Sequence, residues 1–242
     1  GPLFLPNISR KPPSGSSELT VATYNTTYRA DDYDEMLRVV LALDADVVGI
    51  EEASEEFVDA TRQEYPYRWQ DANFALISRY PIDRAGIHFL VNEEKNRLDT
   101  LVAPIDFDGQ PVSVYVFHPI RPSLRIRPLL YDSVDREEAT QELADAVEHD
   151  PNPVVLLCDC NFAYRTDDYR SIAALLTDGW RERGFGFGFT APVRSPNLPL
   201  GRTDCIWHSS DFVTTSIRVG RENGPSDHFP LRATLALMPS AD

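Results

Sequence analysis

Hydrophobic and polar positions along this chain follow two periods in turn, one typical of strands and one typical of helices. Residues 111–118 alternate, with a valine at every second position, as in a strand that buries one face. Residues 153–159 form a short apolar run, typical of a strand buried on both faces. Helical periods follow capping residues at Asp32 and Ser54, and a longer helix is predicted near 134–148. Runs of strands with helices between them predict an α/β (α+β) fold, a two-layer β-sandwich flanked by helices.

The first 18 residues differ in composition from the rest of the chain. They hold four prolines and four serines and show neither period, which predicts a linker or tether. The opening Gly1-Pro2 looks like the scar of a cleaved tag. No second change of composition follows, so residues 19–242 are predicted to form one domain.

The charge balance bears on the class of function. With 23 basic and 38 acidic residues the net charge is −15, which argues against a protein held on nucleic acid by a broad basic surface. It does not exclude an enzyme that contacts one phosphate through a metal ion. The three cysteines (Cys158, Cys160 and Cys205) lack the spacing of a zinc site, and we expect small buried thiols that fill core space.

Candidate chemistry lies where the predicted strands end. Strand ends of a layered α/β protein meet at one edge, where sites are built. Carboxylates, amides and two histidines brought together there would suit general acid–base catalysis and a hard divalent cation, and oxygen ligands favour magnesium over zinc. Each residue also has a structural interpretation: a turn former, a helix cap or a packed loop histidine. The polar residues in question are Asn25, Glu51, Glu52, His118, Asp159, Asn161, Asp204, Ser226, Asp227 and His228.

The order of these residues along the chain resembles the endonuclease/exonuclease/phosphatase superfamily. That family includes deoxyribonuclease I-like nucleases, abasic-site endonucleases, sphingomyelinases and inositol phosphatases. The resemblance covers nearly everything from Leu19 to Leu237, and it implies a deoxyribonuclease I-like fold and metal-dependent phosphoester hydrolysis. The segments that carry it are TYN (23–25), DVVGIEE (46–52), ALISRYPI (75–82), VFHP (116–119), VVLLCDCNF (154–162), RTDCIW (202–207) and SDHFP (226–230).

The resemblance implies a metal site at three of these positions. Asn25 and Glu52 would help to hold the cation, Glu52 directly, and Asp227 would lie at the same site. Glu51 takes the place of a usual Gln. The implied cation is magnesium, with manganese as the alternative.

The resemblance also implies the catalytic residues. His228, with Asp204 orienting its ring, would contact the scissile phosphate or accept a proton from the attacking water. Asp159 would position or deprotonate that water, and Asn161 would hold the water or a phosphate oxygen. His118 would be the second histidine on the phosphate.

Two cysteines occupy positions where the family usually has aromatic residues. Cys160 replaces the Phe of a usual Gly-Asp-Phe-Asn, and Cys205 replaces the Tyr of a usual Arg-Ile-Asp-Tyr-Ile. Because the resemblance brings Asp159 and Asp204 to the same edge, a Cys160–Cys205 disulfide is one expectation for a protein that works outside the cytoplasm.

Substrate choice is open at this point. Residues 119–133 have no clear period, and we expect a mobile loop whose arginines (Arg121, Arg125 and Arg127) bind substrate phosphate; the alternative is a solvated connection. The aromatic segment 184–189 would stack a base, lie against an acyl chain or form an edge turn. The leading interpretation is a magnesium-dependent, nuclease-like phosphodiesterase. The alternatives are a sphingomyelinase-like lipid phosphodiesterase, a small-molecule phosphatase and a non-catalytic binding domain.

The expected partner is a phosphodiester substrate, either nucleic acid or a phospholipid head group. No protein partner is evident, and we expect a monomer. The sequence also looks like bacterial proteins in which such a domain follows an N-terminal membrane segment. A membrane-tethered, extracytoplasmic location is therefore an expectation of the resemblance.

Overall fold

A computed structural model describes residues 5–7, 10–28, 32–92, 95, 97–121, 123–126, 129–194 and 198–239. Strands and helices follow each other in the manner that the sequence predicts. In chain order they are β1 (Glu18–Asn25), α1 (Tyr33–Leu43), β2 (Val47–Glu51), α2 (Glu55–Ala60), β3 (Tyr67–Asp71), β4 (Phe74–Ser78), β5 (His88–Asn92), β6 (Arg97–Phe107), β7 (Gln110–Phe117), β8 (Ser123–Ile126), β9 (Leu129–Asp132), α3 (Val134–Glu148), β10 (Val154–Asp159), α4 (Asp167–Ala173), β11 (Thr177–Asp178), α5 (Gly179–Arg183), β12 (Ala191–Arg194), β13 (Leu198–Gly201), β14 (Asp204–His208), β15 (Phe212–Val219) and β16 (Leu231–Leu237).

Two six-stranded sheets pack face to face, which confirms the predicted sandwich. The first sheet has the order β15-β16-β1-β2-β4-β3 and the second has the order β11-β14-β10-β7-β6-β5. Their facing sides form one apolar core, in which Val47 and Leu235 of the first sheet share a cluster with Val114 and Leu157 of the second. Gly49 lets the sheets approach closely, because a Cβ there would lie 3.0 Å from side-chain atoms of Leu157 and Val116. The site at the sheet edge is therefore supported by a tightly packed base.

Helices cover the outer faces of both sheets, and α1 and α2 begin at the predicted caps. The Asp32 carboxylate accepts a hydrogen bond from the Glu35 N–H, and the Ser54 hydroxyl accepts one from the Phe57 N–H. Helices α1 and α2 pack on the first sheet, and α3 and α4 pack on the second. No helix among the described residues is long and apolar enough to cross a membrane.

The sheet topology brings several strand ends to one edge. In the first sheet β1 runs parallel to β2, so the carboxyl-terminal ends of these two strands lie at the same edge. In the second sheet β7 runs parallel to β10, and their carboxyl-terminal ends also lie together. Strands β14 and β16 run antiparallel to β10 and β1, and they begin at that edge. Asp159 therefore pairs with Asp204 in register, and Asn25 pairs with Glu51.

The expectation of a mobile loop over residues 119–133 is wrong. Strands β8 and β9 form a two-stranded antiparallel hairpin within that segment. Five of the eight residues in 123–126 and 129–132 are leucine, isoleucine or tyrosine, and Ile126 and Tyr131 are of types that favour strands. Each strand has only four residues, which is too short for a period of two to be recognised in the sequence.

The cysteine pairing also differs from the expectation. Cys158 is bonded to Cys160, and Cys205 is a free, buried thiol. The register of β10 and β14 explains why Cys160 is not opposite Cys205: that position faces Cys158, while the Cys160 N–H donates to the Thr203 carbonyl. All three cysteines are buried, as predicted, but Cys158 and Cys160 are not the expected thiols, because they are bonded to each other.

Part of the predicted linker contacts the domain. The Asn7 N–H donates to the carbonyl of Arg181, and the Arg10 guanidinium donates to the carbonyl of Ser210. Strand β1 begins at Glu18, the last residue of the segment predicted as linker. The described part of this segment therefore runs along α5 and the β14–β15 turn.

Candidate active site

Asn25 joins carboxylates from both sheets at the shared edge. Its amide nitrogen lies 3.2 Å from Glu52 Oε1 and 3.1 Å from Asp159 Oδ2, and its oxygen accepts the Thr27 N–H at 2.9 Å. The side-chain oxygen predicted to help hold a cation is thus engaged by the backbone. In this arrangement Asn25 orients the two carboxylates.

Glu52 is aimed into the site by its own backbone. It has a φ of 55°, a left-handed conformation that is uncommon outside glycine and that turns the chain sharply after β2. Its second oxygen, Oε2, accepts the Tyr28 N–H at 2.9 Å. The carboxyl-terminal end of β1 and the turn after β2 therefore fix this carboxylate, as expected for a metal ligand.

His228 and Asp204 form a buried pair. The His228 Nδ1 atom lies 3.0 and 3.1 Å from the two Asp204 oxygens, and the histidine is only 2 % exposed. Burial alone would lower the pKa of the imidazole, but Asp204 and then Asp159 and Asp227 raise it to about 10. The imidazole is therefore protonated at neutral pH in the metal-free protein, with Nε2–H directed away from Asp204.

A further predicted catalytic residue, Asp159, lies near this Nε2 atom and also near His118. Asp159 Oδ2 lies 3.8 Å from His228 Nε2 and 3.5 Å from His118 Nε2. His118 Nε2 is also 3.8 Å from Glu52 Oε1. The structure thus brings both predicted histidines to the same carboxylate.

Asp227 lies on the same side of the site. Its Oδ1 atom is 3.9 Å from His228 Nε2 and accepts the Thr27 hydroxyl at 2.8 Å. The neighbouring Ser226 ties this loop to β1, because its hydroxyl donates to the Asn25 carbonyl and accepts the His228 N–H. Thr27 and Ser226 therefore position the SDH segment against β1.

The donor set fits a hard divalent cation. Ligand-type atoms of Asp159, Asp204 and His228 lie within 4.8 Å of one another, but Asp204 and His228 satisfy each other. Asp159 Oδ1 and Glu51 Oε2 are buried oxygens without a hydrogen-bond partner among the described residues. Burial raises the pKa of Glu51 well above its ordinary value, and Asp204 and Asp159 raise it further. Such an excess of buried carboxylate is the environment that a bound cation stabilises.

Of the three predicted substrate-binding arginines, Arg121 is described at the site. Its Nη2 atom lies 3.5 Å from His228 Nε2. The Arg125 side chain and residue Arg127 lie outside the described part of the chain, although the Arg125 backbone belongs to β8. Arg121 and a protonated His228 are both donors, so their closeness marks a point where one anionic oxygen would accept from both.

Asn161 lies two residues after the end of β10 and has a left-handed conformation, with a φ of 50°. Its amide donates to the Pro119 carbonyl at 3.0 Å, which links the end of β10 to the residue after His118. Behind this turn lies Arg136, which donates to the Asn161 carbonyl at 3.1 Å. Arg136 lies at the start of α3 and is only 4 % exposed. Its burial marks it as a candidate, but that burial is known only once α3 is seen to pack against the second sheet.

The aromatic segment 184–189 folds over Trp180, whose indole N–H donates to the Gly186 carbonyl at 3.2 Å. Gly188 has a φ of 66° and lies so close to the indole that a Cβ would be 2.4 Å from it. Phe185 and Phe187 remain 76 % and 56 % exposed. A pocket of about 370 Å³ is lined by Phe187, with Tyr164 and Trp180 among its other walls.

A two-sheet sandwich with a histidine–aspartate pair and clustered carboxylates at one edge defines a class of phosphoester hydrolases. A family model described as the endonuclease/exonuclease/phosphatase family matches residues 22–228. The chain belongs to this family, whose enzymes are divalent-metal-dependent phosphoesterases. No curated protein matches the chain.

Solved structures share the fold at low sequence identity. A protein of this family from Bacteroides thetaiotaomicron is 18 % identical with a TM-score of 0.73, over 93 % of this chain and 99 % of the other. A mannosyl-6-phosphatase from the same organism is 17 % identical with a TM-score of 0.70, over 90 % and 100 %. TDP2 of D. rerio, in complex with single strand DNA product, is 17 % identical with a TM-score of 0.66, over 90 % and 99 %.

Proposed function

We propose that this protein is a magnesium-dependent phosphodiesterase with nuclease-like activity. The observation that carries the proposal is the convergence of His228 Nε2 and Arg121 Nη2, 3.5 Å apart, beside the Asp159 carboxylate. Two donors and one acceptor then face a single point. A phosphoryl oxygen and an attacking water at that point need donors and an acceptor of this kind.

The chain's own residues have distinct tasks in this proposal. His228, protonated and oriented by Asp204, donates from Nε2 to a phosphoryl oxygen. Asp159, whose Oδ2 atom lies near both histidines, accepts the proton of the attacking water. His118 contacts the phosphate from the other side of Asp159, and Asn161 holds the water or a phosphate oxygen.

Magnesium would be held by Glu52 and Asp227, with Asn25 orienting Glu52, and when bound it neutralises charge on the phosphoryl oxygens. Oxygen ligands suit magnesium, and manganese is the alternative. Glu52→Gln keeps the shape of the ligand and removes its charge. The variant should bind magnesium more weakly in calorimetry, while Glu55→Gln, a first-turn residue of α2, serves as the matched control.

The substrate class is tested with a panel of plasmid DNA, single-stranded DNA, RNA, sphingomyelin, phosphoinositides and sugar phosphates, each with magnesium or with EDTA. EDTA-sensitive cleavage of a nucleic acid supports the proposal. Release of choline phosphate would favour the lipid phosphodiesterase instead. No hydrolysis of any substrate would favour a non-catalytic binding domain.

A small-molecule phosphatase is the second candidate, and a specific observation favours it. The described basic side chains at the site are few, Arg121 and the two histidines, which is enough for one phosphate and little more. A mannosyl-6-phosphatase also shares the fold. Hydrolysis of sugar phosphates with no cleavage of nucleic acid would establish this candidate and overturn the nuclease.

We further propose that the full-length protein is tethered to a membrane outside the cytoplasm and acts as a monomer. The proline- and serine-rich segment before β1 supports a tether. Fractionation of cells that express the full-length protein tests the location, and light scattering tests the oligomeric state. Recovery in the cytoplasmic fraction, or a dimer, would contradict these proposals.

A further inference from the structure

Arg136 makes a buried, forked contact beneath the catalytic edge. Its Nε and Nη2 atoms lie 2.9 and 2.6 Å from Asp168 Oδ2, and its Nη1 atom donates to the Asn161 carbonyl at 3.1 Å. Arg136 is 4 % exposed and Asp168 is 5 % exposed. One guanidinium therefore joins the start of α3, the start of α4 and the turn that carries Asn161.

The turn needs such support because of its conformation. Asn161 has a φ of 50°, and a left-handed residue other than glycine persists only where its surroundings hold it. Its carbonyl is held by Arg136, and its side chain donates to the Pro119 carbonyl at 3.0 Å. Arg136 thus acts through Asn161 on the segment that follows His118.

Stability alone does not explain this pair. Burying two charges removes them from water, and well-packed apolar residues of similar volume often stabilise a fold equally or better. A forked guanidinium does offer direction, since one planar group can satisfy a carboxylate and a carbonyl at fixed angles. The geometry of the pair is therefore better matched to positioning than to stabilisation.

We propose that Arg136 is a positioning residue for catalysis: through its pair with Asp168 it holds the Asn161 turn in the conformation that the reaction requires. The inference rests on the proposed function, because it assigns Asn161 to the reaction. It extends that proposal to a residue 25 positions before Asn161 in the chain, on the outer face of the second sheet.

The test separates positioning from folding. Removing only one partner would leave a buried charge and endanger the fold. The double variant Arg136→Met/Asp168→Leu removes both charges and keeps an apolar filling. We expect a melting temperature near that of the wild type and a kcat lower by about 10- to 100-fold, because small misplacements of reacting groups have effects of that size. KM should change by less than about threefold.

Two further variants keep the inference falsifiable. Arg136→Lys retains the charge but not the fork, so it should keep the melting temperature and lose most of the kcat that the double variant loses. Arg183→Met is the matched control, since Arg183 also donates to backbone carbonyls, those of Thr214 and Arg10, away from the site. It should leave kcat unchanged.

An independent readout comes from Asn161 itself. In an Asn161→Ala background the double variant should lower kcat no further, because residues that act as a unit are not additive. The Asn161 side-chain amide signals in an NMR spectrum should shift in the double variant without any substrate present. A folded double variant with wild-type kcat and unshifted signals would overturn the inference, whereas a wild type that hydrolyses no phosphoester would overturn only the proposed function.

Discussion

Two buried glutamates in this molecule have opposite surroundings. Glu182 accepts hydrogen bonds from the Thr214 N–H at 2.7 Å and from His208 at 3.0 Å, and these partners lower its pKa although burial alone would raise it. Glu51 is bonded to the Thr23 hydroxyl through one oxygen, its other oxygen has no partner among the described residues, and its pKa is raised by burial. The protein therefore supplies hydrogen-bond partners that stabilise the charged Glu182 carboxylate, whereas one oxygen of Glu51 has no partner among the described residues.

The two buried histidines repeat the difference. His208 uses both ring nitrogens, one toward the Ser209 carbonyl and the other toward Glu182 and Thr214. His228 uses Nδ1 for Asp204 and presents Nε2 to Arg121 and Asp159. Buried polar groups whose hydrogen bonds are all made within the protein stabilise the fold. Buried polar groups with an unpaired atom at a cleft are candidates for binding a ligand.

The largest expected effect separates the two histidines by activity. His228→Ala should lower kcat by about 100- to 10,000-fold, the range for removal of a general acid or base. His208→Ala should keep the kcat of the molecules that remain folded and lower the melting temperature. Kinetics and thermal unfolding of both variants at one pH measure this. Equal losses of kcat in two folded variants would remove the distinction.

A substitution at Asp204 tests whether His228 acts together with this carboxylate. The double variant Asp204→Asn/His228→Ala should have a kcat only slightly lower than that of His228→Ala alone, because the two residues act as a unit. Losses that add in free energy would show that Asp204 has a separate task.

The glutamates should respond to the same substitution with opposite signs. Glu182→Gln should lower the free energy of unfolding by about 1.5–3 kcal/mol, the usual value of hydrogen bonds to a charged group. Glu51→Gln should raise it in EDTA, because the amide has no charge to bury. The gain should grow as the pH rises above the ordinary carboxyl pKa, since the wild type must then retain a proton or bury a charge. Urea unfolding over a pH series measures both, and a Glu51→Gln variant that loses stability at every pH would contradict the comparison.

A pH dependence of stability follows from His228. Its pKa is raised from 6.5 to about 10, so the protonated imidazole contributes stability that is fully present below the lower value and is lost as the pH rises through the upper one. In EDTA, the difference in unfolding free energy between the wild type and His228→Gln should shrink over that window. A difference that stays constant with pH would show that Asp204 does not hold the proton there.

The smallest expected effect concerns substrate affinity. Arg121→Ala should raise KM more than it lowers kcat if the contact is made in the ground state and the transition state alike. Arg125→Ala and Arg127→Ala should have weaker, salt-dependent effects. Wild-type kinetics of the triple variant at low salt would exclude these arginines from substrate binding.

Much of the site could be predicted because its residues follow strands whose ends meet. Asn25, Asp159 and Asp204 are strand-terminal in the sequence pattern, and the parallel and antiparallel pairings bring them together. The caps at Asp32 and Ser54 were predictable for a local reason, since each bonds a backbone N–H three residues on.

The rest depends on contacts between distant segments. Arg136 and Asp168 are 32 residues apart, and their pairing requires the packing of α3 beside α4. The register that places Cys205 opposite Cys158 is decided by the whole β10–β14 ladder. The orphan oxygen of Glu51 appears only when the two sheets face each other, because its neighbours come from both.

The proposed function requires that Glu52 and Asp227 at the sheet edge hold a divalent cation on which phosphoester hydrolysis depends. The rate of hydrolysis of bis(p-nitrophenyl) phosphate after EDTA treatment, measured against added magnesium, tests it most directly. We expect no activity without metal and a saturable recovery, with the half-saturating concentration raised in Glu52→Gln and unchanged in Glu55→Gln. Activity that is indifferent to EDTA and magnesium, or a Glu52→Gln variant with the wild-type metal dependence, would contradict it.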